Sequence, residues 1–240
     1  MSGVSLPAAT ADDIPCFHCE VRDRAVCAVL ERHELHRLNA IVTEVRLKGN
    51  QIILHQDDPA THLFNVTAGV VRLSKMLPDG RRQITGFLFP GDFLGVAYGD
   101  LYAYGAEAIG DVRLCRFPRD KLIALFDELP KLEHRLLAVA SNELVAAQDQ
   151  MLLLGRKTAT EKLVSFILLI ARRADDAGNA ATHIDLPMTR MDIGDYLGLT
   201  METVSRGIGK LVKEGLLELP AANRILIKDR DALEDIAEGF

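Results

Sequence analysis

The stretch Thr189-Arg190-Met191-Asp192-Ile193-Gly194-Asp195-Tyr196-Leu197-Gly198-Leu199-Thr200-Met201-Glu202-Thr203-Val204-Ser205-Arg206 decides how this chain reads. Thr189 precedes a short apolar-periodic run that ends at Leu197. Gly198-Leu199 supplies a turn, and Thr200 stands at an N-cap before a second helix over 201–214. Helix, glycine turn and second helix form the helix-turn-helix layout. Ile193, Leu197, Val204, Ile208 and Leu211 fall on its packed side. Met201, Glu202, Ser205, Arg206 and Lys210 fall on the open side of the second helix, whose early turns enter a major groove in such motifs.

The side chains at those positions suit double-stranded DNA. Arg206 has two donors for guanine O6 and N7, Glu202 accepts from a cytosine amino group, and Ser205 is small enough to meet thymine or a base edge. Arg190, Lys210 and Lys213 are positive charges placed for phosphates, as is the helix N-terminus at Thr189. The plain alternative is an i,i+4 ion pair between Glu202 and Arg206 on a solvated face. Leu216–Leu219 and Arg224–Ile227, around Pro220-Ala221-Ala222-Asn223, read as a wing hairpin. A helix over 159–173 (Leu163, Phe166, Ile167 and Ile170 inward) and a polar linker over 174–182 complete a winged helix-turn-helix domain at 158–240.

Working outward, 131–157 reads as one helix. Leu137, Ala140, Leu144, Ala147, Met151 and Leu154 recur at alternating spacings of three and four, an a/d seam. Leu136, Val139, Leu152 and Leu153 lie off the seam and can face the chain's own core. Two apolar faces predict a homodimer through the seam.

From 42 to 118 the texture changes. Short β-prone runs such as QIILH, LFNVT, VVRLSKM, RRQITGFLF and VRLCRF alternate with turn signals at Ala68-Gly69, Pro78-Asp79-Gly80, Pro90-Gly91-Asp92 and Gly110-Asp111. That punctuation predicts an antiparallel β-roll over 30–130 and an α+β chain overall. A short helix is expected around 25–41, with Leu30, Leu35, Leu38 and Ile41 on one face. Residues 1–15 are small and polar and read as loose chain.

Four cysteines remain. Cys16, Cys19 and Cys27 crowd an N-terminal segment, 1–29, and Cys115 stands alone downstream. Four thiolates suit zinc or an iron–sulfur cluster, and the residues leave both open. The N-terminus has no secretory pattern and no apolar run reaches membrane length, so a cytoplasmic protein without membrane contact is expected. There, clustered cysteines lean toward metal over disulfides. The net charge of −6 does not argue against DNA, which needs local positive charge. The scattered histidines form no catalytic constellation, so no enzyme is expected.

The motif over 189–206 resembles the FNR branch of the CRP/FNR family of bacterial transcription regulators. Glu202-x-x-Ser205-Arg206 is the FNR form of the recognition helix. The resemblance implies a TTGAT…ATCAA-type palindrome read by Glu202, Ser205 and Arg206. Gln83-Ile84-Thr85-Gly86-Phe87 and Pro90-Gly91-Asp92 resemble the family's cyclic-nucleotide-binding-like jelly roll. The resemblance further implies that Cys16, Cys19, Cys27 and Cys115 hold an oxygen-labile [4Fe–4S] cluster controlling dimerisation. The C-x2-C-x7-C spacing is longer than in the enteric form and resembles the FnrL and FnrN subgroup. The family resemblance implies an RNA polymerase contact at the loop Leu77–Arg82, whose plain alternative is a hairpin turn. It also points to Ala147 as a seam position where some relatives carry a charge. Glu107, near the place of the usual phosphate-gripping pair, implies that no cyclic nucleotide binds.

Overall fold

The computed structural model describes residues 13–96, 99–176 and 183–239. Most of the loose chain expected over 1–15 and most of the linker expected over 174–182 lie outside them.

Two 3-10 helices, Pro15–His18 and Val26–Val29, carry the first three cysteines and their loop. Helix α1 (Arg32–Asn39) follows as a separate element, where one helix over 25–41 was expected. The break is built by a capping box. Glu31, not yet helical, and Glu34 satisfy each other's backbone amides, so the helix starts there.

The roll comprises β1 (Thr43–Leu47), β2 (Ile52–Leu54), β3 (His62–Met76), β4 (Arg82–Leu88), β5 (Phe93–Leu94) and β6 (Gly105–Pro118). The sheet order is β1-β6-β3-β4, with β2 on β6 and β5 on β3, all antiparallel. The turns expected at Ala68-Gly69 and Gly110-Asp111 are instead bulges inside two long strands. The β3/β6 register shifts between Val66 and Val70, and β6 supplies the extra residues around Gly110. Facing bulges bend both strands without breaking their ladder. Leu54, Val66, Val71, Leu94, Ala106, Val112 and Leu114 fill the roll.

Helix α2 (Arg119–Glu128), which the sequence reading left without an element, leads into α3 (Pro130–Arg156), the long helix expected at 131–157. Leu122, Leu125, Leu129 and Leu132 pack against Val26 of the N-terminal segment, Leu30, and Leu35 and Leu38 of α1. Helix α4 (Ala159–Asp176), β7 (His183–Asp185), α5 (Arg190–Leu197), α6 (Met201–Lys213), β8 (Leu217–Ala221), β9 (Arg224–Ile227) and α7 (Arg230–Glu238) make the last domain. Its three strands pair in the order β7-β9-β8, and β8-β9 is the expected wing. Phe166, Ile184, Leu197, Val204, Ile208, Leu211 and Leu233 form its core, which Ile84 and Phe87 of the roll also enter.

Candidate DNA-reading site and cysteine pocket

Helix α5 begins with a full capping box. Thr189 Oγ1 accepts from the Asp192 amide at 3.0 Å, and the Thr189 amide and hydroxyl donate to Asp192 Oδ2 at 3.0 and 2.7 Å. It ends at Gly198, whose φ of 63° is left-handed and favours glycine. The turn is tight. A Cβ on Gly194 would stand 2.6 Å from the Leu199 carbonyl oxygen, so only glycine lets α5 and the turn approach this closely. Thr200 then caps α6 by accepting from the Thr203 amide at 3.2 Å.

This geometry sorts the side chains of α6. Val204, Ile208 and Leu211 are buried against α4 and α5. Glu202, Ser205, Arg206 and Lys210 are exposed. Among the described residues, neither Glu202 nor Arg206 has an ion-pair partner, so the i,i+4 pair does not form. Lys210 pairs with Glu214 at 3.8 Å. Arg190 is half-buried and donates to the Ala222 carbonyl of the wing turn at 3.1 Å, and burial lowers its pKa. Thr189 commits both its donors to Asp192. The anion-binding capacity at this helix start therefore rests with the first-turn amides that follow it.

The sequence reading missed what faces Asp192 and Asp195. Arg72 and Arg82 of the roll bond Asp192 Oδ1 at 3.1 and 3.2 Å, and Arg82 bonds Asp195 Oδ2 at 2.6 Å. A signal was present: carboxylates in the first helix of a helix-turn-helix that meets phosphates need another partner.

Glu107 also belongs to this network. It pairs with Arg72 and so faces the last domain, which corrects the reason given for excluding a cyclic nucleotide. Tyrosines Tyr102 and Tyr104, beside the place of the phosphate-gripping pair, are tied into the roll. The Tyr102 hydroxyl donates to the His62 carbonyl at 2.8 Å, and the Gly95 amide donates to the Tyr104 hydroxyl at 3.0 Å.

The four cysteines come together. Cys16, Cys19, Cys27 and Cys115 all line one cavity of about 460 Å³ between the N-terminal segment, β6 and β3. All four are free thiols and half-buried. Burial, reinforced by the neighbouring thiols, pushes Cys27 up to about 11 and Cys115 up to about 12. Cys16 Sγ donates to Asn39 Oδ1 at 3.5 Å. Asn65, paired in register with Cys115 and buried, has no hydrogen-bond partner for its Oδ1 among the described residues. Among the described residues, no three His, Cys, Asp or Glu side chains are grouped so as to hold a single metal ion.

The seam of α3 is mostly open. Leu137, Leu144 and Met151 are 65%, 61% and 71% exposed. Ala147 is exposed and Ala140 half-buried. Leu154 is half-buried, and a Cβ on Gly198 would lie 3.7 Å from its Cδ2. That end of the seam therefore touches the chain's own helix-turn-helix. Leu136, Val139 and Leu153 pack inward as expected. Leu152, expected to pack with them, is exposed. No helix among the described residues is long and apolar enough to cross a membrane.

Known proteins agree with this architecture. Residues 44–128 match the cyclic nucleotide-binding domain family and residues 161–236 the Crp-like helix-turn-helix domain family. The transcriptional activatory protein AadR of Rhodopseudomonas palustris is 39% identical over 236 residues, covering 97% of this chain and 99% of that protein. The transcriptional activator protein FnrL of Cereibacter sphaeroides is 37% identical over 220 residues, 89% of this chain and 88% of that protein. The solved structure of FixK2 from Bradyrhizobium japonicum superposes with a TM-score of 0.77 at 39% identity, covering 81% of this chain and 96% of that one. With a roll, a long helix and a DNA-binding helix-turn-helix in that order, and with relatives this similar over nearly their full length, the chain belongs to the CRP/FNR family of transcriptional regulators.

Proposed function

We propose that this regulator is an oxygen-responsive, cytoplasmic transcription activator whose signal enters at the cysteine pocket. The observation that carries this reading is the convergence of four unpaired thiols, from two distant parts of the chain, on one cavity. A tetrahedral zinc ion needs its sulfurs at about 2.3 Å from one point. A [4Fe–4S] cluster takes a thiolate at each corner, and a cavity of about 460 Å³ lined by all four cysteines leaves room for one. The donor set fits, since soft thiolates are the usual ligands of such clusters. Cys16, Cys19, Cys27 and Cys115 would hold it, and the bound group would supply oxygen-sensitive redox chemistry.

The chain's own residues then do the rest. The N-terminal segment and α1 pack on α2 and α3 through Val26, Leu30, Leu35 and Leu38, so ordering the cysteine loop braces the dimer helix. The open face at Leu137, Leu144 and Met151 takes a second copy, with Ala140 and Ala147 letting the helices approach. A dimer presents two α6 helices about one DNA turn, ~34 Å, apart. Glu202, Ser205 and Arg206 read a TTGAT…ATCAA-type palindrome, while Arg190, Lys210 and the start of α5 at Thr189 meet the backbone. The loop Leu77–Arg82 touches RNA polymerase. The roll acts as a scaffold and takes no cyclic nucleotide.

Anaerobic purification followed by visible absorption and iron and sulfide assay tests the reading. About four irons and four sulfides per chain, lost in air together with DNA affinity, is the expected result. A colourless protein with one zinc per chain would overturn it.

A further inference from the structure

Helix α5 is the first helix of a helix-turn-helix that approaches phosphates, yet it carries Asp192 and Asp195. Neither carboxylate faces outward. Asp192 is buried, its side chain 3% exposed, between the roll and its own helix. Its Oδ2 closes the cap on Thr189, and its Oδ1 accepts from Arg72 Nη1 at 3.1 Å and Arg82 Nη2 at 3.2 Å. Asp195 Oδ2 accepts from Arg82 Nη2 at 2.6 Å and Nε at 3.1 Å. Glu107 on β6 holds Arg72 from the other side.

Neutral contacts run alongside. Gln83 Nε2 donates to the Asp195 carbonyl at 2.6 Å. Gln150 Nε2, from α3, donates to the Tyr196 carbonyl at 2.9 Å. The Phe87 ring lies 5.4 Å from Tyr196 and 6.0 Å from Phe166. Strands β3 and β4 and helix α3 therefore all grip α5, while the reading side chains of α6 stay exposed. Only Lys157 and Thr158 separate α3 from α4 along the chain. Two residues make a short hinge but do not fix a rotation about it.

We infer that Arg72 and Arg82 are positioning residues for DNA recognition. They clamp α5 through Asp192 and Asp195, and so set the direction in which α6 projects from the roll. In a dimer that direction fixes the distance between the two reading helices. A palindrome demands a definite distance, whereas a single half-site does not. The clamp has a preferred position because removing one partner leaves a desolvated charge unpaired. This inference rests on the dimeric, palindrome-reading function proposed above.

Asp195→Asn is the decisive variant. Simple electrostatics says that deleting a carboxylate from a DNA-binding domain strengthens binding to any duplex. The clamp says the opposite for a palindrome. The whole protein, purified anaerobically, is titrated with a duplex carrying a TTGAT…ATCAA palindrome and with the same duplex having one half scrambled. Asp195→Asn should bind the palindrome about tenfold more weakly, the expected scale for breaking a partly buried charge pair. It should bind the scrambled duplex no more weakly than the wild type. Arg82→Gln should lose a similar factor on the palindrome, and the double variant should lose no more than the worse single, because the pair acts as one unit.

Equal or tighter palindrome binding by Asp195→Asn overturns the inference. Failure of the wild type to prefer the palindrome overturns the functional reading instead. A second readout needs no DNA: amide hydrogen exchange in α5 and β4 should accelerate in both single variants. Unchanged protection there overturns the clamp even if a variant proves hard to titrate. Asp192 is the wrong residue to change, since it also caps α5 and its loss would disturb the domain itself.

Discussion

The cysteine pocket and the helix-turn-helix are built on opposite plans. The helix-turn-helix is completed by neighbours in sequence. Thr189 caps with Asp192, Thr200 caps with Thr203, and Gly194 admits the Leu199 carbonyl, all within fifteen residues. The cysteine pocket is completed by strangers, for Cys115 on β6 shares it with thiols 88 to 99 positions earlier. A site made of local bonds forms whenever its segment folds. A site that needs two distant segments together responds to whatever holds them together. This suits the first to a constant output and the second to a signal.

The largest expected effect breaks the pocket alone. Cys115→Ala should abolish incorporation of iron and sulfide and the activation of target genes under low oxygen, while the roll stays folded, since β6 is held by its pairing to β1 and β3. Circular dichroism and iron assay check both halves, and retained activation would remove Cys115 from the ligand set. The counterpart in the local site is Gly194→Ala. Its methyl would meet the Leu199 oxygen at 2.6 Å, and we expect a loss of about 2–4 kcal/mol in denaturant unfolding.

Leu144→Glu places a charge in the exposed seam of α3. It should shift the protein from dimer to monomer in sedimentation and spare the monomer's fold, with the dimer dissociation constant raised by at least about tenfold. Unaltered sedimentation would show that the dimer does not use this face. Arg206→Ala should weaken binding to the palindrome by about 1–3 kcal/mol if it reads guanine. An equal loss on random DNA would assign it to the backbone. The smallest change expected is Thr189→Ala, about 1 kcal/mol of domain stability from the lost cap, with base preference intact.

Local chemistry was legible in the sequence. The turn at Gly198, the cap at Thr200, the packed and open faces of α6 and the wing all depend on residues close in sequence, and the structure has them where periodicity placed them. Long-range pairing was less legible. Ala68-Gly69 and Gly110-Asp111 look like turns because glycine beside a small or acidic residue usually ends a strand. Only the facing strand reveals that each is a bulge. Helix α2 has an apolar face at helical spacing, Leu122, Leu125, Phe126 and Leu129, but it is only ten residues long and lies between Pro118 and Pro130, where a connection reads as readily as a helix. Leu152 and Leu153 are adjacent and equally apolar, so pattern alone could not tell which would pack inward.

What the sequence determined by itself was the type of each element and the chemistry its side chains bring: four thiols, a pair of N-caps, and Glu202 and Arg206 on an open helix face. Periodicity and capping act over three or four residues, so they can be read without the fold. What only the tertiary structure decided was which charges meet. Asp192 and Asp195 could have been solvated, and Glu107 could have guarded an anion site. The bonding of the two aspartates to Arg72 and Arg82 joins residues more than a hundred positions apart, and only the packing of the roll against α5 brings them within hydrogen-bond reach.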